Sequence, residues 1–379
     1  MTLVRLRVRE LALPLRRPLR TAHGEVAQRS GWLVEIEHAS GAVGFGEALP
    51  LPSFGGENHA ACGRALRRIA AGCSGLASQA EVDPRDSGLG PELERVLVEA
   101  PVARGAVETA WLDALARSQG VSLRDWLGGD ARCEAIPLNA LLSSDTPAAL
   151  ELEASEALRA GFRTLKLKVA GRELEEDLAA VEAVRRVAGS DVALRLDANG
   201  GWSESEALRA LRALESSRPE WLEQPIAPGD PVALARLRSA SGVPIAADEG
   251  ADTAVAVRAL LAAEAIDAVV IKLPPLGGPA AAREIAQLAS NAGKRVAVTS
   301  FLDSSLGIAS ALQLASALPG TTRAACGLAT ASLLAGDLAE PIRIEQGSAR
   351  VPSGPGIGRA PTAEGIALRV GALHSEFIA

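Results

Sequence analysis

From about residue 136 to 330, short β-branched apolar runs alternate with alanine- and leucine-rich stretches that have helical periodicity. A strand, a helix and the next strand recur about every 25 residues, which predicts parallel strands joined by crossover helices. The predicted strands are Ile136–Leu142, Thr164–Ala170, Val192–Asn199, Trp221–Ile226, Val243–Glu249, Ala268–Leu273 and Val296–Ser300, with a weaker one near Ala324–Leu328. Seven or eight such units favour a closed barrel, so residues 131–335 are predicted to form a modified TIM barrel of the (β/α)7β type. A doubly wound open sheet is the alternative, but no G-x-G-x-x-G follows the first strand.

The N-terminal segment, 1–130, has a different pattern, typical of an α+β domain. Strands are predicted at Leu3–Leu13 and Gly31–His38, with a turn and a returning strand at Gly41–Gly46. Helices are predicted at Ala61–Gly72 and Val102–Ser118. The last segment, 336–379, contains a hairpin pattern and is expected to pack back on the N-terminal domain.

Composition limits the expected location of the protein and the partners it can bind. The 379-residue chain is 48% hydrophobic, yet it has no apolar run long enough to span a bilayer and no signal-peptide pattern, so we expect a cytoplasmic protein. Its four cysteines form no CxxC pair and are interpreted as reduced. The net charge of −7 argues against a nucleic-acid partner. Whether the protein is a homo-oligomer is left open.

Acidic residues follow three consecutive predicted barrel strands, namely Asp197, Glu223 and Asp248. Each is separated from the next by one strand–helix unit, so the three should meet at the carboxyl ends of adjacent strands. An all-oxygen site of this kind suits Mg²⁺ or Mn²⁺, and no histidine or cysteine accompanies it to favour zinc. Asn199 and Glu249 are expected just outside the direct ligands. The simpler interpretation is that each acid caps the helix after its strand.

Lysine is rare in this chain: only four of the 39 lysines and arginines are lysine, and three of them follow predicted strands. Lys166 and Lys168 are two positions apart on one strand, so both point into the barrel, where two like charges favour loss of one proton. Lys272 follows Asp248 by one further strand–helix unit and arrives from the opposite wall. Opposed lysines across a metal-bound carboxylate predict proton abstraction at the carbon alpha to it, from a small-molecule carboxylate substrate. Chance placement of surface lysines is the alternative.

These motifs together resemble the enolase superfamily, in particular its muconate-lactonising subgroup, over nearly the whole chain. The resemblance rests on GFGEALPLPSFGGE, TLKLKVA, RLDANGGWS, WLEQPI, IAADEG, VIKLPPLGG and VPSGPGIG. It implies that the N-terminal domain caps the barrel mouth, with loops Arg20–Gly24 and Pro50–Glu57 closing over substrate. It also implies that Asp197, Glu223 and Asp248 are the metal ligands. We assign Lys168 as the general base, Lys272 as the opposing cation and Lys166 as a deeper lysine that tunes Lys168.

Within that subgroup, TSFLDSSLGIASALQLA and ACGLATASLLAGDL look most like o-succinylbenzoate synthases of menaquinone biosynthesis. The implied reaction is a syn dehydration by a carbon–oxygen lyase. Ser300, Ser304, Ser305 and Arg20 are predicted to contact substrate. N-acylamino acid racemisation or another epimerisation is the close alternative, because the same site can serve it. A lyase with an imine-forming lysine and a binding protein on a degenerate barrel are alternatives of other classes.

Overall fold

In a computed structural model, a curled parallel sheet of seven strands forms the centre of the molecule. The structure describes residues 3–21, 24–54, 56–72, 99–129 and 133–378. Neighbouring strands of this sheet pair in chain order, and they are Ala140–Leu142, Thr164–Lys168, Ala193–Asp197, Trp221–Glu223, Ile245–Ala247, Ala268–Ile271 and Arg295–Val298. The segment from Arg323 to Gly327 forms parallel bridges to Val296 and Thr299 on one side and to Leu138 on the other. This segment closes the barrel, as the weaker eighth run predicted.

Helices connect the strands in the predicted alternation. They are Pro147–Arg159, Leu174–Ala188, Glu204–Leu214, Pro231–Ser239, Ala254–Ala262, Leu273–Leu276, Pro279–Asn291 and Ser305–Ala317. Several begin with a side-chain cap, and Ser203 with Glu206 forms a complete capping box. None of the described helices is both long and apolar enough to cross a bilayer.

The predicted strand Ile136–Leu142 is divided in the structure. Its first part, Ala135–Pro137, pairs antiparallel with Ser348–Arg350 outside the barrel, and only Ala140–Leu142 joins the barrel sheet. Between the two parts, Asn139 donates its backbone N–H to the carbonyl of Cys326, on the closing segment. The hydrophobic run predicted the strand but not this exchange of partners.

The N-terminal domain is built on a four-stranded antiparallel sheet, in the order Val370–Ile378, Leu3–Thr21, Gly24–His38, Val43–Ala48. Helices His59–Gly72 and Pro101–Ser118 pack on it, with Leu123–Trp126 after them. Gly44 and Gly46 permit this packing, because a Cβ would lie 2.1 Å from the Ala110 carbonyl oxygen and 2.0 Å from that of Ala106.

The last part of the chain contributes strands to two different sheets. The predicted hairpin forms from Ile344–Glu345 and Ser348–Arg350, but it pairs with Ala135–Pro137 and not with the N-terminal sheet. After the helix Ala363–Arg369, the strand Val370–Ile378 does join that sheet, next to the first strand. The return to the N-terminal domain is therefore made by the final strand.

Candidate active site

The strand Thr164–Lys168 presents both of its lysines to the barrel interior, because alternate residues of a strand share a face. The Lys166 ammonium lies between two carboxylates, with Nζ 2.8 Å from Asp197 Oδ2 and 2.7 Å from Glu223 Oε1. The Lys168 ammonium is one layer nearer solvent: its side chain is 37% exposed, against 14% for Lys166. The predicted order of the two lysines along the barrel axis is observed.

The carboxylates at the next strand ends are almost fully buried. Exposed fractions are 2% for Asp197, 1% for Glu223 and 7% for Asp248. Burial and the neighbouring Asp197 carboxylate raise the pKa of Glu223 to about 8. Burial also opposes charge on Asp197, but the lysines, Lys166 first, outweigh it and lower its pKa. The site concentrates negative charge that needs cations close by.

The surroundings of Lys166 favour its charged form. Burial opposes its charge, but the facing carboxylates, Asp197 first, outweigh burial and raise the pKa of Lys166. The predicted tuning of Lys168 by Lys166 is a separate effect and stays a prediction. Lys166 holds two of the acids together, a contact that strand periodicity could not reveal.

Lys168 and Lys272 have separate partners on opposite sides of the site. Lys168 Nζ donates to Asn199 Oδ1, and Asn199 Nδ2 donates to Glu249 Oε1 at 3.1 Å. Lys272, which follows the strand Ala268–Ile271, donates to Asp248. Its burial opposes charge, but Asp248 and the other acids raise the pKa of Lys272. The predicted chain of lysines, acids and flanking polar groups is brought together at one barrel mouth.

Gln224 is a site residue that the sequence reasoning missed. Its Oε1 accepts from the backbone N–H groups of Asp248, at 3.1 Å, and Gly250, at 3.0 Å, while its Nε2 donates to the Ile226 carbonyl. Gln224 also has a positive φ of 38°, and Asn199 one of 43°. Non-glycine residues seldom adopt this conformation, and they do so here one residue after Glu223 and two residues after Asp197. A polar residue immediately after Glu223 was the available signal.

The predicted loop Pro50–Glu57 does reach the barrel mouth. The Phe54 ring, in the short helix Pro52–Phe54, has its centroid 5.6 Å from Lys168 Nζ and 6.0 Å from Lys272 Nζ. Phe54 thus lies over both lysines, and sequence reasoning did not single it out. The Arg20 side chain and residues 22–23 lie outside the described residues.

The serines predicted to bind substrate have different surroundings. Ser300 is half-buried, and its hydroxyl contacts that of Thr330. Ser304 and Ser305 are fully buried, and their hydroxyls donate to Glu47 and Asp337 respectively. Both hydroxyls are engaged within the protein, and their contact with substrate stays a prediction. Carboxylates distant in the chain engage both hydroxyls, which no local pattern could indicate.

The oxygen donors at the mouth fit a divalent cation of the Mg²⁺ type by their chemistry. As the side chains stand, no three acidic, histidine or cysteine residues in the described part of the chain are arranged to hold a metal ion together. Each of the acids Asp197, Glu223 and Asp248 instead contacts a lysine ammonium. To converge on one ion, these carboxylates would exchange their lysine contacts for the cation.

The molecule combines a parallel β/α barrel, an α+β domain and a barrel mouth that holds both lysines and acids. This fold and this site together define a class of enzyme. Residues 3–128 match the mandelate racemase / muconate lactonizing enzyme N-terminal domain, and residues 149–365 match the enolase C-terminal domain-like family. The chain belongs to the enolase superfamily, in its muconate-lactonising subgroup.

Its relatives include enzymes of several activities. The L-Ala-D/L-Glu epimerase of Bacillus subtilis is 31% identical over 85% of this chain and 87% of its own length. The o-succinylbenzoate synthase of Mycobacterium tuberculosis is 42% identical, but over only 55% of this chain and 62% of its own.

Solved structures match the whole fold. The N-succinyl Arg/Lys racemase of Bacillus cereus has a TM-score of 0.89 at 25% identity, covering 100% of both chains. The dipeptide epimerase of Cytophaga hutchinsonii, complexed with Mg and D-Ala-L-Val, has a TM-score of 0.88 at 26% identity, covering 97% of this chain and 98% of its own. These similarities show an enzyme of this superfamily without selecting one reaction.

Proposed function

We propose that this enzyme removes the proton alpha to a substrate carboxylate, and that its reaction is the dehydration that forms o-succinylbenzoate. The observation that carries the proton chemistry is the placement of Lys168 and Lys272 on opposite walls of one mouth, beneath the same Phe54 ring. A carboxylate substrate between them has an amine on either side of its alpha carbon.

Asp197, Glu223 and Asp248 would hold Mg²⁺ or Mn²⁺. When bound, the metal supplies Lewis-acid stabilisation of the charge that develops on the substrate carboxylate. Asn199 positions Lys168, and Gln224 fixes the backbone of Asp248. Lys272 supplies a fixed positive charge facing the same developing anion.

A single proton carrier accounts for all the bond changes of the proposed dehydration. Lys168, as the free amine, takes the alpha proton, and the electrons of the C–H bond form the new C=C bond. The C–O bond to the neighbouring hydroxyl breaks, and Lys168 returns its proton to the departing oxygen, which leaves as water. The cyclohexadiene ring becomes aromatic. Because proton and hydroxyl leave from the same face, one lysine suffices.

Two observations favour this substrate over a free dipeptide. The identity to the o-succinylbenzoate synthase is 42% over 215 residues, higher than to the epimerase that matches more of the chain. The barrel-closing segment from Arg323 to Gly327 and the Leu328 that follows it contain no acidic residue, so they offer no carboxylate for a substrate ammonium group.

N-succinylamino acid racemisation is the second candidate, favoured by the full-length structural match to the Bacillus cereus racemase. Both candidate substrates carry a succinyl group and a carboxylate beside an acidic C–H bond. Racemisation, unlike syn dehydration, needs Lys168 and Lys272 to exchange protons on opposite faces.

The decisive experiment measures turnover of the cyclohexadiene carboxylate precursor of o-succinylbenzoate beside a panel of N-succinylamino acids. We expect kcat/KM to be highest for the precursor and activity to disappear in EDTA. Asp248→Ala should abolish turnover, whereas Asp252→Ala, which changes an exposed acid nearby, should not. Full activity of Asp248→Ala in EDTA would refute the metal site, and a preference for the amino acids would select the second candidate.

A further inference from the structure

A small cavity lies between the N-terminal domain and the barrel, separate from the proposed metal site. Its volume is about 30 Å³, enough for about two water-sized occupants. Its walls come from the strand Val43–Ala48, the helix Pro101–Ser118, the start of Leu273–Leu276 and the helix Ser305–Ala317. Its polar lining residues are Glu47, Thr109, Thr299, Asp303 and Ser310.

Three of the lining side chains have an oxygen with no partner in the described part of the chain. These atoms are Thr299 Oγ1, Asp303 Oδ1 and Ser310 Oγ. Asp303 is 4% exposed and Ser310 2%, so water outside the protein does not satisfy them. An unpaired buried oxygen costs free energy, and three around one cavity indicate an occupant that binds oxygen.

The charges around the cavity are unbalanced. Glu47 and Asp303 line it, Asp337 faces Glu47, and Arg29 is the positive group nearby. The Arg29 guanidinium donates to the backbone carbonyls of Leu49, Pro50 and Phe301, and not to either acid. Burial raises the pKa of Glu47 to about 8 and that of Asp303 to about 6, although Ser304 donates to Glu47 and the Phe301 N–H donates to Asp303.

We propose that this cavity binds a monovalent cation, Na⁺ or K⁺, through Asp303 and the hydroxyls of Thr299 and Ser310, with Glu47 supplying further negative charge. The ligands are all oxygen, which suits a hard cation. A bound cation favours the ionised form of both lining acids, whose combined charge then exceeds that of Arg29. The ion joins the two domains, because Glu47 belongs to the N-terminal domain and the other ligands follow the seventh barrel strand.

The test compares melting temperatures in NaCl, KCl and choline chloride at equal ionic strength, with MgCl₂ constant. We expect Na⁺ or K⁺ to raise the Tm by at least about 2 °C over choline, in a saturable way. Ser310→Ala should abolish this response while leaving the Tm in choline unchanged or higher, because it removes an unpaired hydroxyl. Ser316→Ala is the matched control: this buried serine on the same helix donates to Gln313, so the response should remain.

Crystals grown in RbCl supply a direct readout, with an anomalous peak expected beside Asp303. Equal Tm values in all three chlorides would overturn the proposal and leave water or a shared proton as the occupant. It would also be overturned if Ser310→Ala kept the cation response, or if only a divalent ion filled the cavity.

Discussion

Arginine carries nearly all of the positive charge in this chain, and three of the few lysines stand at one barrel mouth. Their environments differ. Lys166 is bound between two acids and Lys272 contacts Asp248, whereas Lys168 is the most exposed and has the neutral Asn199 as its hydrogen-bond partner. Arginine retains its proton near neutral pH, so only lysine can serve as a base at these positions. Because its hydrogen-bond partner is neutral and its ion pair with Asp197 is a longer 4.0 Å, Lys168 is the lysine that we propose as the proton acceptor.

Lys168→Arg tests that assignment, because it keeps the positive charge and removes the basicity. We expect turnover to fall by about 10²- to 10⁴-fold, the usual worth of general acid–base catalysis. Binding of Mg²⁺, followed by isothermal titration calorimetry, should be retained. Lys166→Arg should be milder, because its charge between the acids remains.

The matched control for this experiment is Lys294→Arg, a lysine outside the proposed site, which should behave as wild type. If Lys168→Arg turned over substrate nearly normally, the base would be Lys272 instead.

At the scale of elements, the repeat length determines where the site forms. Because each strand–helix unit has nearly the same length, Asp197, Glu223 and Asp248 end adjacent strands, and the sequence pattern alone predicted this. Side-chain contacts between strand ends could not be predicted, because they depend on how far each side chain extends. The hydrogen bond from the Asp248 N–H to Gln224, at the end of the neighbouring strand, is an example. The same holds for Ser304, whose partner Glu47 lies 257 residues away.

The loop that carries Phe54 is held by an element outside the barrel. Glu57, which is 8% exposed, accepts from the backbone N–H groups of Val102 at 3.1 Å and Ala103 at 2.9 Å. These groups begin the helix Pro101–Ser118, where a carboxylate satisfies unpaired donors and complements the helix dipole. Glu57 is therefore a positioning residue for the loop over the lysines.

Glu57→Gln should loosen this loop, because an amide nitrogen replaces one acceptor and the charge is lost. We expect kcat/KM to fall about tenfold or more through misplacement of Phe54, while the metal affinity remains unchanged. Glu99→Gln, at an exposed acid just before the same helix, should have no such effect. A lower Tm with unchanged kcat/KM would mean that Glu57 serves stability alone.

At the scale of the whole molecule, the N-terminal domain is held to the rest of the chain by buried polar contacts. Asp113, fully buried on the helix Pro101–Ser118, accepts from the Phe45 N–H at 3.0 Å and from the Ile357 N–H at 2.7 Å. Its third partner is Arg117 Nε at 2.9 Å. One carboxylate thus joins the helix, the sheet and the C-terminal segment.

Asp113→Asn should lower the free energy of unfolding by about 1–3 kcal/mol, because the amide nitrogen cannot accept a hydrogen bond. Burial raises the pKa of Asp113 from 3.8 to about 6 in the folded protein, despite its hydrogen bonds. Between these values the folded state binds the proton and the unfolded state does not, so stability falls as pH rises from about 4 to 6. The variant lacks this contribution. Urea unfolding of both proteins should therefore show a stability difference that narrows over that range and is constant above it. A difference that widened with pH would mean that the hydrogen bonds outweigh burial and hold the pKa of Asp113 below its ordinary value.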